Sequence, residues 1–221
     1  NIILLEKKTF SKNSKLYTSS YKHWYKDEKN EIFSNITYIE NDFKNPDFYF
    51  KIGNITEKNI VNKLIFVYNK SILSDKNIKT KFNVWLNMRM CFWNKSFTYL
   101  HQSNEYKVFY FENEKQSIIF SALLNSNIFF FFWESISDCW HITLKELNEF
   151  KFNIDDMSDS DYKELKIIYN ELEFFLEKNK KKINSKQSQF EYQHKKAKHL
   201  IDKLDLIFGK YFKLTFDELD Y

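Results

Sequence analysis

A chain of 221 residues can bury a core, as one large domain or two small ones, without disulfides or metals to staple it. Apolar residues make up 43% and aromatic residues 19%, so the core is expected to be built from rings, while a net charge of +4 suits a polyanionic partner without selecting one. The strongest apolar run, Ile128 to Trp133, stops at Glu134, far short of the roughly 20 residues that span a bilayer, which excludes a transmembrane helix.

The basic residues are nearly all lysine, and Arg89 is the single arginine. Cys91 and Cys139 lie far apart with no CxxC pair, so neither a disulfide framework nor a zinc site is expected, and a reducing cytoplasm fits. The chain opens at Asn1 with no basic-then-apolar leader and reads as a processed or excised piece.

In chain order, Asp47 to Ile52, Leu64 to Tyr68, Phe82 to Trp93 and Tyr106 to Phe111 read as strands from their ring-rich alternation or compact apolar runs. From Glu114 the period becomes helical through Ile118, Ile119, Ala122, Leu123 and Ser126, and one buried helix is expected to continue into the aromatic run 129–133. After a break at Ser137 to Trp140, Thr143 and Glu146 form a capping box, with Ile142 and Leu147 as staple. An acidic stretch, Asp155 to Asp161, leads into an amphipathic helix carrying Leu165, Ile168, Leu172, Phe175 and Leu176. This helix ends in the run Lys178 to Lys182, read as a solvated helix end. Beyond a polar link at Asn184 to Ser188, Ala197, Leu200, Ile201, Leu204, Ile207 and Phe208 stripe a second helix, so the two can pair as a hairpin. Thr215 and Glu218 start a further helix that Tyr221 cuts short. The expected fold is α+β, a mixed sheet region over 1–152 followed by a helical hairpin over 153–221.

Catalytic motifs are missing. Isolated Gly53 and Gly209 can build neither a cofactor-binding glycine turn nor a phosphate-cradling loop, and there is no HExxH and no nucleophile elbow. The acidic pairs at 155–161 read as helix-start charges. His23, His101, His141, His194 and His199 are scattered, and His141 stands out because it lies between two helices beside Trp140.

The segment 106–152 carries, in order, a strand, a charged linker, the Ala122-Leu123-Leu124-Asn125-Ser126 helix core, the aromatic run, Ser137-Asp138-Cys139, and His141-Ile142-Thr143 opening a short helix that leads to Phe150 and Phe152. It resembles the target-recognition region of bacterial adenine-N6 DNA methyltransferases and type IIG restriction-modification enzymes. Asn87-Met88-Arg89-Met90 with Trp93 is similar to that family's segment preceding the recognition strand, and 201–219 to its closing helices. The resemblance implies double-stranded DNA as partner, read by Arg89, Trp93, Lys95, Trp140, His141 and Lys145. It also implies a separate N-terminal methyltransferase domain holding S-adenosylmethionine, with no catalytic residue here. Trp140 stands where the family often has a basic residue, so a ring there would stack instead. Two other readings stand beside this one: a protein-interaction domain using the hairpin, and a fragment of a type I specificity subunit.

Overall fold

A computed structural model describes residues 15–31, 33–44, 48–73, 79–90, 93–100, 103–183 and 190–221. Pro46, Asp47, Cys91, His101 and the 184–188 link lie outside them. The described chain is α+β. Short strands β1 (Tyr17–Thr18) and β2 (Ile39–Glu40) pair antiparallel and precede helix α1 (Ile55–Phe66). A central antiparallel sheet follows, with β3 (Asn83–Asn87) between β4 (Ser96–Phe97) and β5 (Tyr106–Tyr110). Four helices come next: α2 (Glu114–Leu124), α3 (Asn127–Ile136), α4 (Leu144–Glu149) and α5 (Asp159–Asn179). The paired strands β6 (Lys181–Lys182) and β7 (Phe190–Glu191) lead to α6 (Lys198–Phe212) and α7 (Phe216–Leu219).

Two of the expected strands are not strands. The run Leu64 to Tyr68 closes α1 up to Phe66, because Asn54 caps the Glu57 N–H and sets a helical register. That register buries Ile60, Val61 and Leu64 on one face, and this burial outweighs the β propensity of a short apolar run. Residues 48–52 do alternate, with Phe50 and Ile52 buried and Tyr49 exposed, but the Lys51 N–H bonds to the Ser135 carbonyl at the end of α3 (2.7 Å), so no ladder forms. Within Phe82 to Trp93 the strand among the described residues is β3, registering Trp85 with Phe97 and Val108 and burying Val84 and Leu86.

The single helix expected from Glu114 is two helices bent by 62°. At the break Ser126 Oγ donates to the Leu123 carbonyl (2.6 Å) and accepts from the Phe129 N–H (3.1 Å). Asp205 of α6 accepts from Asn127 Nδ2 (2.6 Å) and from the Ile128 N–H (3.2 Å). The first amides of α3 are thus satisfied by side chains, which is what lets the chain turn inside the core. Among the described residues no single helix is long and apolar enough to cross a membrane.

The Thr143–Glu146 box opens α4 as expected, and Thr215–Glu218 does the same for α7. Leu165, Ile168, Leu172 and Leu176 of α5 face Leu200, Ile201, Leu204 and Ile207 of α6 in the hairpin. Side chains from both sides of residue 152 share one core, where Phe152 meets Tyr68, Phe208 and Phe212 through ring contacts of 5.1 to 5.9 Å. Gly209 is required by close approach: a Cβ there would stand 2.9 Å from Leu219, whose side chain seats α7 on α6.

Two buried groups oppose each other in pH. Burial pushes the Asp205 carboxyl from 3.8 up to about 7, against the hydrogen bonds from Asn127 and Ile128. Burial, and then Lys95, push His194 from 6.5 down to about 3. The stability contributed by protonated Asp205 is complete below pH 3.8 and is lost as the pH rises to about 7. The stability contributed by neutral His194 is complete above pH 6.5 and is lost as the pH falls to about 3. Between those limits the two slopes, each about 1.4 kcal/mol per pH unit, offset one another. Asp205→Asn is expected to uncover the His194 slope, so that urea midpoints fall more steeply below pH 6.5 than in the parent chain; equal pH profiles in the two proteins would contradict the assignment.

Candidate nucleic-acid interface

The site begins where β3 leaves the central sheet. The Asn87 side chain is buried and its Oδ1 accepts the Arg89 N–H (2.8 Å), turning the chain out of the ladder. Residues 88–90 then pair with 140–142 instead of another strand. Met90 N–H donates to the Trp140 carbonyl (3.1 Å) and Ile142 N–H to the Met88 carbonyl (3.0 Å), forming an antiparallel bridge between Arg89 and His141. The single arginine is thereby set beside Trp140 and His141, from a loop on the far side of two helices. Its guanidinium reaches the Glu105 carboxylate at 3.5 Å with about a quarter of the side chain exposed.

Asp138 shapes the opposing loop. Its Oδ1 accepts the N–H groups of both Trp140 and His141 (2.8 Å each), and its Oδ2 stands 3.3 Å from His141 Nδ1. This Asx turn lets Cys139 hold a left-handed φ of 59°. Partial burial pulls the Asp138 carboxyl upward, but the donors from His141 and Trp140 outweigh it and keep the group below its usual range. Beneath the loop Trp133 Nε1 donates to the His141 carbonyl (2.8 Å), and Lys51 Nζ donates to the Ser137 carbonyl (2.6 Å) and to Cys139 Sγ (3.1 Å). Trp140 is half-exposed and His141 is exposed above this scaffold.

The other three anticipated residues occupy separate places. Trp93 is partly buried, with its ring stacked on Phe130 at 4.5 Å and 10°, so one face is already covered. Lys95 gives its carbonyl to the Asn87 N–H (2.9 Å) and lies near His194. Lys145 sits in the first turn of α4, its ammonium 5.4 Å from the centre of the Phe48 ring. The sequence reading missed Asp138, Lys51 and Trp133, although an Asp two and three residues ahead of the exposed Trp140 and His141 is a legible Asx-turn signal.

Among the described residues no group of three or more His, Cys, Asp or Glu side chains is arranged to hold a metal ion. A shallow concavity of about 170 Å³, floored by Phe43, Phe48, Phe66 and Phe132 and rimmed by Lys44 and Lys151, brings no nucleophile and base together. No family model, curated protein or solved structure matches the chain.

Asp138→Ala removes the acceptor of two loop amides while leaving the core intact. Hydrogen exchange is expected to quicken at the Trp140 and His141 amides, with a global stability loss of about 1 kcal/mol. Unchanged exchange there would show that the 88–90 pairing alone holds the loop.

Proposed function

We propose that this chain is the DNA-reading part of a site-specific adenine-N6 DNA methyltransferase, or of a fused type IIG restriction-modification enzyme. The observation that carries the reading is the Arg89–His141 bridge, which sets a guanidinium, an imidazole and the half-exposed Trp140 ring together just beyond the end of β3. Those groups suit a duplex: a guanidinium pairs bidentately with guanine or phosphate, and a ring gives a stacking face. The chemistry would belong to a separate methyltransferase domain, which would hold S-adenosylmethionine and receive an adenine extruded from the helix. In that division of labour the present residues hold and read the flanking duplex, with Trp140 and His141 fixed by Asp138 so that little order has to be gained on binding.

One observation favours a different reading. Ile167 and Phe174, seven residues apart on α5, are 69% and 68% exposed, an apolar stripe on the hairpin that a protein partner would cover.

The two are separated by binding to a mixed-sequence DNA duplex at low and moderate salt. The DNA reading expects binding that falls steeply with salt, and a loss of about 1 to 3 kcal/mol on Arg89→Ala once the preferred site is found. No binding at low salt would overturn it in favour of the hairpin as a protein-docking element.

A further inference from the structure

The hairpin gathers charge at one end. Residues 177–199 hold eight lysines and two glutamates, a net +6, whereas the whole chain is only +4, so the remaining sequence is net −2. Lysines outnumber acidic residues four to one in this segment. The fold folds this segment back on itself. The end of α5 runs into β6, β7 pairs Lys181 with Glu191 and Lys182 with Phe190, and a 3-10 turn, His194–Ala197, packs against α5 before α6 begins.

Several of these lysines have structural partners. Lys180 pairs with Glu177 and lies 4.3 Å from the centre of the Phe190 ring, and Lys198 pairs with Asp202 (2.8 Å). Lys181, Lys182, Lys195 and Lys196 are exposed and have no ion pair among the described residues. Helix electrostatics accounts for cations after the C-terminus of α5 and opposes those ahead of α6. Lys195 and Lys196 lie at the positive end of the α6 dipole, and neither the 3-10 turn nor α6 has an acidic residue in its first turn. Two exposed cations just ahead of α6, and two more on β6, whose partner strand β7 leads into the same turn, suit a polyanion. His194, in the same turn as Lys195 and Lys196, packs 6.2 Å from Trp93 and lies close to Lys95.

We propose that Lys181, Lys182, Lys195 and Lys196 form a phosphate-binding site that grips the backbone of duplex DNA. The proposal rests on the DNA reading given above for its ligand, and on the charge distribution for its location.

The test compares four forms of the chain on mixed-sequence duplexes by fluorescence anisotropy over a salt series: the parent, the quadruple Lys→Gln variant at these positions, a control with Lys26, Lys107, Lys163 and Lys203 changed to Gln, and Arg89→Ala. Thermal melts confirm folding of each. If each lysine holds one phosphate, the slope of log Kobs against log salt shrinks by roughly 3.6 in the quadruple variant, about 0.9 per contact, and little in the control. Equal slopes in parent and quadruple variant, or an equal loss in the control, overturn the lysine site and leave the DNA reading standing. Loss in the quadruple variant with Arg89→Ala unchanged in both affinity and site preference supports the lysine site and overturns the reading role of Arg89. No binding by the parent overturns both.

Discussion

The carboxyl of Asp205 reaching the first amides of α3 is the contact on which the arrangement depends. A helix cannot begin inside a core unless its free N–H groups find acceptors, and Ser126 with Asp205 supplies them at the α2–α3 turn. That turn directs the aromatic run of α3 toward Phe50, Phe150 and the hairpin, and so brings the end of α3 to the loop carrying Asp138, Trp140 and His141. The polar contacts of Glu173 work similarly between α5 and β4. Its carboxylate accepts from the Thr98 N–H (2.6 Å) and from Tyr169, and burial raises its pKa despite those bonds. Polar side chains of the hairpin therefore fix the register between helices and sheet, where ring packing alone would tolerate sliding.

The parts of the fold legible in the sequence are those set by neighbours along the chain. The apolar stripes of α5 and α6, the capping boxes at Thr143 and Thr215 and the alternation of β5 need only residues within a turn or two. What escaped the reading depends on distant partners. Ser126 is a local capping signal for the break, but the second acceptor, Asp205, lies in α6 and is not legible from neighbours along the chain. The run Leu64 to Tyr68 is β-rich in composition yet ends a helix whose register was fixed at Asn54. Residues 48–52 alternate like a strand, but the Lys51 N–H meets the Ser135 carbonyl of α3 in place of a strand partner.

The candidate interface divides in the same way. Arg89 and His141 could each be singled out by type and position, while their pairing is a product of the chain's return after α3. Trp93 was legible as a ring but not as one already stacked on Phe130. The lysines at the hairpin end were visible as a run, but the return of the chain through the β6–β7 ladder toward the turn carrying Lys195 and Lys196 was not.

The contact of Tyr221 with α1 has a consequence for how the chain comes together. Its hydroxyl donates to Glu57 (2.9 Å) and accepts from Asn54 (2.7 Å), while Glu218 meets Lys63, so the cap of α1 is completed by residues more than 150 positions later. Asn54 caps the Glu57 N–H from within the same turn, so α1 can form by itself, whereas its contacts with Tyr221 and Glu218 close only when segments more than 150 positions apart have met.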